Sequence, residues 1–434
     1  MTRFHAPARA AIAALLACAL ALPGSALAIE LRFRSFSGSA AIGPPADAYA
    51  VKLRDISNTV IGPAGEIRFT KITPTPAIPF GGDIVLAVGA GADEGGFDAA
   101  YTSGSELNRA WGFIYNSGVP FGPNFDEHLG FLYGKSVDGG QKTGLELIQS
   151  IFDLNSRNVI AVPIVGSAEQ LSGYFFKPIG DAKHVDGIGL AGLCQEPWKL
   201  RYLPPGENVL GRACDDLVAR GVIPAKNISF IAAIPGGGSL VNAVKIGELQ
   251  GFEFATPVDD VSQLFNTVDN PGTVGVRYVH FPGWQQQFLI TWMLINKDVW
   301  NTMTLAQQTL LLSVSRDHVI SSYGENLRKQ GAALKTILTA NKADADPSND
   351  MVLVDWPKKD QALLRDATIA FLNSRAADSS LGADRADFVR VLEAYRTYVR
   401  SNDVYWDDRG VNVKMRFDDW ANALGEEWED EKVK

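Results

Sequence analysis

Glu253 makes the largest demand on its surroundings of any residue in the chain. It lies in the stretch Gly247–Asp260, GELQGFEFATPVDD, between Phe252 and the pair Phe254-Ala255. A carboxylate in such an apolar, strand-like run is costly to bury unless it is paired or binds a cation. Either a positive group stands beside Glu253, or the strand ends at a cleft. A second candidate is Arg201, at the end of a strand-like segment and just before the turn Pro204-Pro205-Gly206. Side chains at such strand ends face a crevice, and a guanidinium there offers a planar fork for a carboxylate. Alternatively, Arg201 lies on the surface, or pairs directly with Glu253. Gln170 and Gln286 are oxygen donors in apolar or aromatic settings. Trp284 follows the turn Pro282-Gly283 and suits either a pocket wall or packing between lobes. Tyr101 and Tyr174 could bond a ligand oxygen or simply fill a core.

Other chemistry is missing from the sequence. It contains no G-x-S-x-G, no H-E-x-x-H and no C-x-x-C. After Gly89-Ala90-Gly91, Glu94 stands where a dinucleotide fingerprint needs glycine. Pro235-Gly236-Gly237-Gly238-Ser239 lacks the Gly-Lys-Ser/Thr of a phosphate-binding loop and reads as a βα turn. Asp344–Asp350 alternates oxygen ligands but lacks the glycine of a calcium loop and ends in Asp355. His128, His184 and His318 are scattered, and nothing assembles a nucleophile with its base. Catalysis is therefore not expected, and no organic cofactor is implied.

These residues must be positioned by the rest of the chain. Arg3 and Arg9, the apolar run Ala10–Leu22 and Ala26-Leu27-Ala28 have the anatomy of an export signal cleaved after residue 28. Cys18 in Leu15–Cys18 offers a weaker lipidation alternative. The expected location is the periplasm. No other segment approaches the ~20 apolar residues of a membrane span. The net charge is −9, without a Lys/Arg block, which argues against nucleic acid and anionic membrane as partners. Cys194 and Cys214 are compatible with a disulfide in an oxidising compartment, or with two separate buried thiols.

The chain is longer than a single core normally holds, so two domains are expected. Strand-like pieces at Glu30–Phe33, Glu66–Thr70, Ile84–Val88, Val159–Val162, Leu200–Leu203, Ser229–Ala232 and Phe252–Thr256 alternate with helical ones, which favours α/β architecture. From Thr304 the texture is helical. Thr304 and Gln307 form a capping box that opens a pattern running to Leu338, followed by Lys358–Ser374 and Arg385–Arg400.

Several motifs then occur in one order. Tyr101 precedes Val119-Pro120-Phe121-Gly122-Pro123-Asn124. There follow Glu169–Phe176 (EQLSGYFF), Trp198–Gly206 (WKLRYLPPG), the Glu253 segment and Tyr278–Trp300 (YVHFPGWQQQFLITWMLINKDVW). Together they resemble the periplasmic solute-binding proteins of tripartite ATP-independent (TRAP) transporters, above all the branch that binds 2-oxo acids and lactate. The resemblance covers about residues 84 to 406. It implies a two-lobed fold with a ligand cleft between lobes and a long helix spanning both. Lobe I would hold residues 29–167 and 260–298, and lobe II residues 168–259 and 299–404. Chain crossings would fall near Ser167, Asp260 and Lys297, and a C-terminal extension would follow at 405–434. It also implies a ligand site at Arg201, Gln170, Trp284, Tyr101 and Tyr174. Sodium or calcium would be held by Gln170, Glu253, the Phe254 carbonyl and Gln286. The implied partners are a small organic acid, the small and large membrane subunits of a transporter, and in some cases a second copy of the chain. The sequence departs from the family in three places. Phe254 stands where most members have tryptophan, Gln286 where many have glutamate, and extra residues surround Cys214–Asn227.

Overall fold

The computed structural model describes residues 27–34, 43–71, 83–135, 142–180, 186–231, 234, 236–342 and 346–408. The export signal up to residue 26, His184, Pro235, Asp344 and residues 409–434 of the C-terminal extension lie outside the described residues. Two sheets organise the described residues. The first has five strands in the order β2-β1-β3-β10-β4: β1 Ile29–Arg34, β2 Ile67–Lys71, β3 Ala99–Ser103, β4 Val159–Ser167 and β10 Leu289–Asn296. Strands β1, β2 and β3 run parallel, and β10 is antiparallel to both β3 and β4. The second has six strands in the order β11-β9-β5-β8-β6-β7: β5 Gly173–Phe175, β6 Lys199–Arg201, β7 Ser229–Phe230, β8 Gly251–Phe252, β9 Tyr278–Phe281 and β11 Val352–Asp355.

This is the expected two-lobed α/β architecture, and the long helix lies where the capping box places it. Thr304 Oγ1 accepts from the Gln307 backbone N–H while Gln307 Oε1 accepts from Thr304 N–H, and the helix runs Leu305–Thr339. A helix of this length is far longer than the average in one globular core, and its apolar residues serve several. Leu311 and Val314 pack with Leu31, Tyr49 and Met293 beneath the first sheet. Val319 joins the cluster around Trp111, Phe131 and Trp292. Ile337 packs with Leu171, Tyr174 and Phe252 at the second sheet.

Two of the expected boundaries shift. Ile84–Val88 is part of a helix, Ile84–Ala90, instead of a strand. Asp83 caps it by accepting from Leu86 N–H, and burial at Ile84, Val85 and Val88 follows a helical face. The second crossing between lobes is also displaced. β9 pairs with β5 and β11 in the second sheet, so the return to the first sheet lies at residues 282–288 and not at Asp260. Asp260 sits in the helix Pro257–Gln263 and bonds Tyr174 of β5, which holds it in the second lobe.

Cys194 and Cys214 form a disulfide with a sequence separation of 20, joining the helices Gly189–Gln195 and Gly206–Ala219. The second helix begins just past Arg201, so the bridge braces the element that follows the candidate arginine. Closing a loop of this size is worth about 3 kcal/mol through the unfolded chain. Replacing both cysteines by serine is expected to lower unfolding stability by that order, read by chemical denaturation. Two titratable thiols in the native protein would contradict the bridge.

Candidate functional site

Strands β6 and β8 lie side by side and parallel, with Arg201 in register with Phe252. Both end at the same edge, so Glu253 is the first residue past its strand and not inside one. Its backbone N–H donates to the Arg201 carbonyl at 3.0 Å. Arg201 Nη1 in turn donates to Glu253 Oε2 at 2.9 Å and to the Glu253 carbonyl at 2.8 Å. The two side chains are 8% and 3% exposed, which makes this a buried ion pair. Burial raises the Glu253 carboxyl above its ordinary range, opposed by Arg201 and by the Leu203 N–H. Arg201 Nε is buried and has no partner among the described residues.

Two of the segments that cross between the sheets meet beside this pair, the third crossing being the one that carries the long helix. Gln170 N–H, on the first crossing, donates to the Gln286 carbonyl on the second at 3.2 Å. Gly283 packs so tightly on the Gln170 carbonyl that a Cβ there would fall 2.2 Å from it. Leu171 N–H donates to the Ala255 carbonyl, tying the first crossing to the Glu253 segment. Gln285 Nε2 donates to the Leu171 carbonyl at 3.0 Å. Trp284 stacks on Phe121 at 5.6 Å and stands edge-on to Trp356 at 6.1 Å. Phe254 is half-buried, its ring against Gly236. The fold therefore gathers Arg201, Glu253, Phe254, Gln170, Gln286 and Trp284 on contacting segments at the junction of the lobes.

Neither tyrosine has an uncommitted hydroxyl to offer that junction. Tyr101 lies on β3 in the first-sheet core and donates to the Ala46 carbonyl at 2.9 Å. Tyr174 donates to Asp260 Oδ2 at 2.7 Å within the second-sheet core. Both hydroxyls are spent on partners distant in sequence, which composition could not reveal.

Three polar groups at the junction were not singled out from sequence. Glu169 is half-buried beside Gln170 and accepts from Gly283 N–H, and desolvation pushes its carboxyl up to about 7. Gln285, buried next to Gln286, has an Oε1 with no partner among the described residues. Asp260 Oδ1 is likewise without a partner, and burial raises that carboxyl strongly, with Asp259 and Glu253 adding to the effect. Gln170 Oε1 is another such acceptor. The adjacent pairs Glu169-Gln170 and Gln285-Gln286 were the available signal. Buried acceptors without donors are what a hard cation satisfies. Among the described residues no group of three or more His, Cys, Asp or Glu is placed to hold a metal, so any cation here would need amide and carbonyl oxygens in addition to a carboxylate. His128 and His280 are pushed down to about 3 by burial and are not poised for proton transfer near neutrality.

No model of a known protein family matches the chain, and no curated protein matches it in sequence. Solved structures do match in shape. A TRAP transporter solute-binding protein from Bordetella bronchiseptica aligns with a TM-score of 0.62 at 15% identity, covering 92% of this chain and 98% of its own. That protein is a mixed-occupancy dimer with calcium and picolinate in one site and none in the other. A TRAP periplasmic solute-binding protein from Pseudoalteromonas atlantica, with bound sodium and pyruvate, aligns at 0.63 and 16% identity, covering 89% and 99%. One from Colwellia psychrerythraea, with calcium and pyruvate, aligns at 0.60 and 16%, covering 88% and 99%. The chain has the TRAP solute-binding fold. Among the described residues no helix is long and apolar enough to cross a membrane.

Two measurements test this geometry. Arg201→Met leaves Glu253 buried and unpaired, an expected loss of about 3–5 kcal/mol. Adding Glu253→Gln should recover much of it in a double-mutant cycle, and strict additivity would contradict the pair. Asp259, bonded to Thr256 Oγ1, is raised by burial from its ordinary 3.8 to about 6. The folded state thus binds its proton more tightly, so this group's stabilisation is full below about 3.8 and is lost as pH rises through about 6. Asp259→Asn should flatten that part of the melting-temperature profile, and an unchanged slope would count against the burial.

Proposed function

We propose that the chain is the extracytoplasmic receptor of a TRAP transporter and captures a small organic carboxylate, a 2-oxo acid or lactate-like molecule, at Arg201. The observation that carries the reading is the buried Arg201–Glu253 pair at the lobe junction, with an unused donor on the arginine and unused oxygens around it. Arg201 would offer its guanidinium to the ligand carboxylate. The pair is neutral, so adding a carboxylate to it buries a net negative charge. A sodium or calcium ion beside Glu253 offsets that charge, and Gln170, the Phe254 carbonyl and Gln286 supply the hard oxygens such an ion takes. Gln285 extends that set. Trp284, held between Phe121 and Trp356, would wall the site.

The solved relatives of the same fold support this chemistry, since picolinate and pyruvate are carboxylates held together with calcium or sodium. Micromolar affinity corresponds to about 8 kcal/mol, which a carboxylate clamp, a cation and modest apolar burial supply. Hinge closure of the lobes around the solute, docking of the closed form on the small and large membrane subunits, and periplasmic location follow from the same reading. The alternatives are a receptor for another acidic solute without a cation, and a metabolite sensor uncoupled from transport.

Calorimetric titration of pyruvate, lactate, succinate and glucuronate, with sodium, calcium or a chelator, tests the reading. The expected result is micromolar binding of a 2-oxo acid that weakens at least tenfold without the cation. Arg201→Lys keeps the charge but loses the planar fork and should weaken it comparably. Binding indifferent to both changes would contradict the site.

A further inference from the structure

A cavity of about 530 Å³ lies between the lobes, on the far side of the turn that follows Arg201. Leu203–Pro205 form one wall, and the same Leu203 offers its N–H to Glu253. The opposite wall belongs to the first lobe, with Trp111, Phe113 and Phe152, and Phe371 of the helix Lys358–Ala377 closes one side. Neither Arg201 nor Glu253 lines it. An apolar cavity of roughly 150 Å³ already accepts benzene, so this space holds an aromatic ring together with a polar head.

The polar groups on its walls are unequal in availability. Asp83 is occupied by the helix cap it forms with Leu86, Asp384 accepts from Asn108 Nδ2, and Glu106 accepts from the Thr102 hydroxyl. Burial also raises the Glu106 carboxyl, which favours its neutral form. Arg375 spends its guanidinium on the carbonyls of Ala110 and Arg109. By contrast, the half-buried Arg157 makes no side-chain hydrogen bond or ion pair among the described residues. Trp111 is fully buried, and its Nε1–H has no partner among them. The lining thus has spare donors and committed acceptors over an aromatic floor.

We propose that this chamber binds a monocarboxylic acid with an aromatic or similarly sized hydrocarbon body, its carboxylate received by Arg157 and its body by the rings of Trp111, Phe113 and Phe152. The site is separate from Arg201 and does not depend on the transport reading. Burying such a body contributes at about 25 cal/mol per Å², and a charge-assisted hydrogen bond to the guanidinium orients the head.

Calorimetry on the mature protein with phenylacetate, its neutral amide, phenethylamine and pyruvate tests this. Phenylacetate should bind in the micromolar range, with the amide and amine at least tenfold weaker. Arg157→Gln should weaken phenylacetate tenfold or more, while Arg201→Lys changes it by less than about threefold, under 1 kcal/mol. Trp111→Phe, which keeps a ring and removes the N–H, should give an intermediate loss. Tighter binding of the amine, insensitivity to Arg157→Gln, or no phenylacetate binding at millimolar concentration would each overturn the proposal. Phenylacetate binding lost in Arg201→Lys alone would also overturn it, by placing the acid at the other site. Failure of pyruvate to bind would count only against the Arg201 reading.

Discussion

A buried charge pair at the ends of two parallel strands is the constraint on which the rest of the molecule turns. Arg201 and Glu253 are 52 residues apart in sequence, and both are almost removed from solvent. In a low-dielectric setting each charge costs several kcal/mol in lost hydration, which the partner repays only when the geometry is good. Here the guanidinium takes both the carboxylate and the backbone carbonyl of Glu253, while the Glu253 N–H returns to the Arg201 carbonyl. That reciprocal set holds the ends of β6 and β8 in register. Because the arginine keeps Nε in reserve, the pair is satisfied enough to fold and still incomplete as a hydrogen-bonding unit.

The fold brings its chain crossings to this point for a related reason. Crossing segments expose backbone groups that no sheet satisfies, and buried ones must find partners. At residues 168–172 and 282–288 they bond one another, and the Gln170–Gln286 and Leu171–Ala255 bonds fasten both to the Glu253 segment. Residues with spare oxygen atoms accumulate there because three elements compete for the same small volume. A junction built this way ties both crossings to the segment that carries the charge pair.

Local signals were readable wherever the physics is local. Thr304 and Gln307 announce the start of the long helix because a capping box needs only residues three apart. Arg201 before Pro204-Pro205-Gly206 and Glu253 among phenylalanines were conspicuous because charge in an apolar context needs a reason. The run Ile84–Val88 misled because β-branched residues suit either element, and the deciding Asp83 cap and burial face are visible only in three dimensions. For Tyr101 and Tyr174 the choice between ligand contact and core was not legible locally, because the acceptors of their hydroxyls, Ala46 and Asp260, are 55 and 86 residues away. Adjacent glutamines posed a subtler problem. Gln285 and Gln286 face different surroundings, and only the turn after Phe281 decides which side chain is buried.

The most direct test of the account is a crystal structure of the protein grown with pyruvate and calcium, compared with one grown with a chelator. The account predicts a carboxylate on the Arg201 guanidinium and a cation touching Gln170 Oε1 and Glu253 in the first, with the Arg201–Glu253 pair closed in the second. An unchanged pair in both crystals, with pyruvate and calcium elsewhere or absent, would contradict it.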